Sequence, residues 1–187
     1  GIRHLGPESV HNTAEEVLDN PYYDLVGFGL AGDELHFPPK LFIKTFDMLK
    51  QEKFPITVHA GEWDGPERIR DAISLLHPTR LGHGVRSIED PELIEYIKEL
   101  DIVLETCPTS NVATKIYKDY QDHPVKSLFD QGVKITVNSD DPPFFNASIA
   151  GEYDVMSSLG LSNDELKSLT KNAIEYLRKH RLGFATF

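Results

Sequence analysis

PITVHAGE, residues 55–62, joins a β-branched apolar run, Ile56 to Val58, to a polar end, His59 to Glu62. A continuous apolar run of this length suits a strand covered on both faces, as in a parallel sheet. Four other segments share the form: DLVGFGL at 24–30, TRLGHG at 79–84, DIVLETC at 101–107 and VKITVNS at 133–139. Their centres, with Val58 included, fall at Val26, Val58, Leu81, Val103 and Thr136, which are 32, 23, 22 and 33 residues apart. Those spacings exclude hairpins and suit strand–helix units, because parallel strands need a crossover of a dozen residues or more.

The intervening segments carry helix signals. Pro66 suits a first helical turn, and Ile69, Ala72, Ile73 and Leu76 follow on one stripe. Asp90 before Pro91 repeats the start signal ahead of Leu93, Ile94, Ile97 and Leu100. Leu41, Phe42, Thr45, Phe46 and Leu49 form a similar stripe, and Ser162 with Glu165 predicts a capping box. Alternation of strand and helix leaves an open doubly wound sheet or a closed (β/α)8 barrel. Neither G-x-G-x-x-G nor G-x-x-x-x-G-K-[ST] occurs, which favours the barrel. The expectation is a single α/β domain over residues 1–187, with strand ends near 3, 29, 59, 83, 107 and 139.

A barrel gathers its chemistry at the carboxyl ends of its strands. There the sequence places Ala31-Gly32-Asp33-Glu34, His59-Ala60-Gly61-Glu62, Gly82-His83-Gly84, Cys107-Pro108-Thr109-Ser110-Asn111 and Asn138-Ser139-Asp140-Asp141-Pro142. His59 and Asp140 form a mixed nitrogen and oxygen donor set that suits Zn2+, although a catalytic zinc normally takes three or more protein ligands. Glu62 is the natural proton carrier, His83 between two glycines would reach toward a metal-bound water, and Asp141 is free for a substrate hydrogen bond. Cys107, before a proline, reads as a small apolar filler rather than a nucleophile. His4, His11, His36, His77, His123 and His180 have no evident partners and are assigned surface or capping roles, with His4 at a possible strand end the exception.

Composition narrows the class. The chain has 187 residues, 19 Lys and Arg against 30 Asp and Glu, and a net charge of −11, so no basic surface suited to a nucleic-acid polymer is expected. No apolar run approaches the roughly 18 residues of a membrane span. Cys107 stands alone, so no intrachain disulfide can form, and a cytoplasmic location is the expectation.

The segments LAGDE (30–34), TVHAGE (57–62), LGHGVR (81–86), ETCPTSNVAT (105–114) and VNSDDPPFF (137–145) together resemble the adenosine deaminase family of metal-dependent amidohydrolase barrels. The resemblance runs from about Arg3 to Tyr153. It implies one Zn2+ held by His59 and Asp140, proton donation by Glu62 to purine N1, and assistance to the attacking water by His83. It also implies a contact of the Gly32 amide with N3 and of Asp141 with N7. The substrate it implies is a purine nucleoside, adenosine and also deoxyadenosine, converted to inosine and ammonia.

Departures from the family pattern are informative. A His-x-His pair that supplies two further zinc ligands in the family does not occur here, and Ile2-Arg3-His4 resembles the end of the family's third strand. The expectation is therefore the later part of a (β/α)8 barrel, without its first two to three strand–helix units, inactive or poorly folded when expressed alone. Gly29 stands where many relatives carry Asp, and the ending YLRKHRLGFATF differs from the usual continuation. Two alternatives accompany the nucleoside reading: deamination of adenine or of a modified purine nucleoside, and a noncatalytic remnant serving as an interaction module. Oligomeric state is left open.

Overall fold

The apolar runs form five parallel strands: β1 (Phe28–Leu30), β2 (Ile56–Ala60), β3 (Arg80–His83), β4 (Val103–Thr106) and β5 (Ile135–Val137). These belong to a computed structural model that describes residues 1–20 and 25–180. Each strand pairs with the next in sequence, giving the order β1-β2-β3-β4-β5. A doubly wound sheet reverses its strand order at a switch point. No reversal occurs here, and the sheet is an arc of a (β/α)8 barrel. At its first edge Ile2 bridges Ala31 in parallel, with the Arg3 amide donating to the Ala31 carbonyl (2.8 Å). The chain start thus lies beside β1, where the sequence places a strand end.

Pairing in the first run begins only at Phe28, two residues past its expected centre, where the Phe28 amide donates to the Pro55 carbonyl (2.8 Å). Pro55 has no N–H to return, so the ladder starts there.

The helices are α1 (Pro7–Asp19), α2 (Ile43–Gln51), α3 (Pro66–Leu76), α4 (Pro91–Glu99), α5 (Pro108–Ala113), α6 (Val125–Asp130), α7 (Pro142–Phe145), α8 (Ile149–Ser158) and α9 (Asn163–His180), of which α5 and α7 sit at the carboxyl ends of the strands and bring Ser110 and Phe145 to the inner cavity. In α3 the expected stripe of Ile69, Ala72, Ile73 and Leu76 is buried. Asp90 caps α4 by accepting from the amides of Glu92 and Leu93, and Ser162 and Glu165 bond reciprocally ahead of α9. Two expected core residues are exposed. Leu41 lies in a 3-10 turn, Pro39–Phe42, whose three-residue period buries Pro39 and Phe42 instead, and Leu100 falls just past the end of α4. Along β2, Ile56, Val58 and Ala60 are buried beneath the helices. Thr57 and His59 alternate to the inner face, which is where the polar strand ends converge. The divergent residues 181–187 lie outside the described residues.

Candidate active site

Each polar strand end is delivered by its own backbone. His59 lies near the end of β2, and its imidazole crosses the neighbouring strand at Gly82, where a Cβ would sit 2.0 Å from His59 Cδ2. Gly82 therefore makes room for the ring, a packing reason that a tight turn alone does not supply. His83 ends β3 at φ 60° and Asp140 follows β5 at φ 53°, both left-handed. Such non-glycine conformations cost of order 1–3 kcal/mol and cluster at functional sites. The rings of His59 and His83 meet edge to face with centroids 5.1 Å apart.

Around His83 the acidic groups close in. Its Nε2 lies 3.4 Å from Glu62 Oε2 and 3.7 Å from Asp140 Oδ2. Ser110 donates to that same Asp140 oxygen (2.6 Å). Burial, with the neighbouring Asp140 and Glu34 charges, pushes the Glu62 carboxyl up to about 8, so it holds its proton at neutral pH. Burial and then His59 push His83 down to about 3, and burial lowers His59, so both imidazoles are neutral. A neutral imidazole keeps the lone pair that a metal needs. Gly32 (φ 96°), His59, Glu62, His83, Asp140 and Asp141 all line one cavity of about 680 Å³.

The donor chemistry fits a zinc ion in part through atoms the sequence did not pair. His83, Cys107 and Asp140 each offer a ligand atom, all within 4.8 Å of one another, a trio that does not include His59. Burial raises the Cys107 thiol, which keeps it protonated and a poor ligand, and its Sγ–H donates to the Glu105 carbonyl (3.7 Å).

Several groups that hold the site in place have no role assigned from the sequence, although Glu34 and Asn111 fall within its strand-end segments. One oxygen of the buried Glu34 carboxylate accepts from three successive amides, Glu62 (3.0 Å), Trp63 (2.5 Å) and Asp64 (2.6 Å), and so clamps the loop that bears Glu62. Arg3, fully buried, donates to the carbonyls of His59 (2.6 Å) and Phe37 (2.7 Å). Asn111 donates to Glu62 Oε1 (3.2 Å), lies 3.2 Å from His83 Nδ1, and meets His123 Nε2 through its own oxygen (3.1 Å). His123 is therefore a buried member of this network and not the surface residue expected. His11 contacts Thr45 and His36 contacts Asp33, while His77 occupies a left-handed helix cap as assigned. The side chain of His180 lies outside the described residues.

The family model described as adenosine deaminase matches residues 2–177. The chain is similar to an adenine deaminase of Sinorhizobium medicae (strain WSM419), 43% identical over 176 residues that cover 94% of this chain and 54% of that protein. Among solved structures it is similar to an amidohydrolase from Burkholderia ambifaria with bound Zn, at TM-score 0.86 and 27% identity over 94% of this chain and 50% of that one. A second is the N6-methyl-AMP deaminase from Arabidopsis thaliana, at TM-score 0.84 and 28% identity over 94% of this chain and 52% of that one. The chain spans about half the length of the curated relatives it matches.

Proposed function

The chain belongs to the adenosine deaminase family, and from that premise we propose that the protein containing it removes the 6-amino group of a purine by hydrolysis, with free adenine as its substrate. This replaces the nucleoside, adenosine, as first choice. The observation that carries the reaction class is the convergence of a protonated Glu62, a neutral His83 and the Asp140-Asp141 pair on one cavity. Similarity to adenine deaminases supports the free base.

His59 and Asp140 are the residues that would hold Zn2+, together with the two ligands that the family draws from a His-x-His pair. When bound, the ion supplies Lewis acidity that lowers the pKa of water toward about 7. The chain's own residues do the rest. Glu62, held at Oε1 by Asn111, gives its proton to N1 as water adds at C6, and positioned acid catalysis of this kind is worth about 10²–10⁴ in rate. One proton of the water restores the Glu62 carboxyl and the other passes to the amino group, so that ammonia leaves as the C6–N bond breaks, giving the 6-oxopurine. His83 orients the attacking water, the Gly32 amide faces N3, and Asp141 fixes the imidazole edge.

Structural likeness to the N6-methyl-AMP deaminase supports a second reading, a 6-alkylaminopurine nucleotide. Turnover of adenine, adenosine and N6-methyl-AMP by the full-length protein tests both. The expected result is kcat/KM for adenine at least about tenfold above the others. A preference for adenosine restores the nucleoside reading, and a preference for N6-methyl-AMP establishes the second. No turnover of any, with no zinc by metal analysis, would leave a noncatalytic interaction module.

A further inference from the structure

We propose that His123, acting through Asn111, fixes the tautomer of His83 so that Nε2 carries its proton and faces the reaction centre as a hydrogen-bond donor. The argument starts from a group whose direction is not adjustable. The backbone N–H of Val125 can only donate, and it lies 3.2 Å from His123 Nδ1. That nitrogen must accept, so the proton of neutral His123 sits on Nε2, opposite Asn111 Oδ1 (3.1 Å). The amide of Asn111 is thereby oriented with its oxygen toward His123. Its nitrogen then faces two acceptors, Glu62 Oε1 and His83 Nδ1, each at 3.2 Å. With Nδ1 accepting, neutral His83 holds its proton on Nε2, which faces Oε2 of the Glu62 carboxyl (3.4 Å) and Oδ2 of Asp140 (3.7 Å).

The opposite assignment fails at its far end. A proton on His83 Nδ1 requires the Asn111 amide to turn over, presenting NH2 to His123 Nε2. His123 must then carry its proton on Nδ1, aimed at the Val125 N–H. Two donors would face one another in a buried site where neither could reach water, which leaves both unsatisfied. Burial also suits the neutral form of His123, holding it down at about 4. The Tyr117 ring packs edge to face on it, with ring centroids 4.9 Å apart.

His123 is thus a positioning residue, and its consequence for chemistry is specific. With Nε2 protonated, His83 cannot take a proton there; it can hold and align the attacking water by donation. Only this last step rests on the proposed deaminase reading, and the tautomer is measurable without it.

The test uses the full-length protein labelled with ring 15N histidine. Long-range 1H–15N correlations, assigned with His83→Asn, should show Nε2–H for both His83 and His123. A pattern of Nδ1–H at either ring would overturn the proposal whether or not purines are turned over. His123→Gln retains an N–H donor where Nε2 was, and His123→Phe removes it. If the purine reading holds, His123→Phe should lower kcat by about 10- to 100-fold, the range found for groups that orient a catalytic ligand, with KM changed less than about twofold. His123→Gln should stay within about threefold of the parent. Equal kcat for His123→Phe and the parent, or equal losses in both variants with the folded spectrum intact, would also overturn it. Should His123→Phe fail to fold, the unsubstituted protein's spectrum still decides. A protein that shows the expected tautomers and no deamination would refute the purine reading and keep the positioning.

Discussion

From the amino end of β3, Arg80 donates to Glu105 of β4 (2.5 Å), Thr57 donates to the other oxygen of the same carboxylate (2.5 Å), and the Arg80 guanidinium lies 4.5 Å over the Tyr176 ring. At the carboxyl ends of β2, β3 and β5, Glu62 and Asp140 lie beside two buried imidazoles, and the Asp140 charge adds to burial in raising the Glu62 carboxyl. One arrangement neutralises charge, so its worth is mechanical. The other is deeply buried: desolvation, with the Asp140 and Glu34 charges, keeps Glu62 protonated, and desolvation keeps His59 and His83 unprotonated at neutral pH although Asp140 draws them the other way. The difference lies in burial and in the partners supplied, since both sets sit on one inner face.

The largest effect that separates the two ends is expected from Glu62→Gln. Purine turnover should fall by about 10²–10⁴ while zinc content and the unfolding transition are retained. Near-normal turnover would end the acid role. Glu62 also sets a pH dependence. A carboxyl raised to about 8 from an ordinary value near 4.5 stabilises the fold while neutral. That stabilisation is fully present below about 4.5 and is lost as pH rises through about 8. In metal-stripped protein, the difference in unfolding free energy between the parent and Glu62→Gln should therefore drift against the parent over this window. A flat difference would mean that Glu62 is solvated.

Gly82→Ala sharpens the comparison inside the site. Its new Cβ lands on the His59 ring, so zinc stoichiometry should drop with only about 1–3 kcal/mol lost in stability, measured by metal analysis alongside denaturant unfolding. Full zinc retention would return Gly82 to the role of a plain turn. At the other end, Arg80→Met should lower unfolding free energy by about 1.5–3 kcal/mol and leave kcat within about twofold. A large loss of turnover in a stable Arg80→Met protein would join the two ends into one functional unit.

Much of this was open to a reader of the sequence alone. The α3 stripe, the Asp90 cap and the Ser162–Glu165 box depend on residues three or four apart, and that spacing is visible in one dimension. The strand ends showed themselves as polar residues closing apolar runs. Glu34 and Arg3 fall at strand ends too, but nothing in the sequence shows what they touch, and His123 gives no sign at all. Glu34 acts on amides 28 to 30 positions away and Arg3 on a carbonyl 56 away, while His123 reaches His83 only through Asn111.

The sequence by itself determined the parallel strand–helix alternation, the family and the residue types at each strand end, because local periodicity and contiguous motifs encode them. Only the tertiary structure decided the unreversed strand order, the raised Glu62 carboxyl, the fit of His59 over Gly82 and the direction of the His123–Asn111–His83 hydrogen bonds. These depend on desolvation and on contacts between groups far apart in the chain, and neither exists until the sheet has curved and brought its strand ends together.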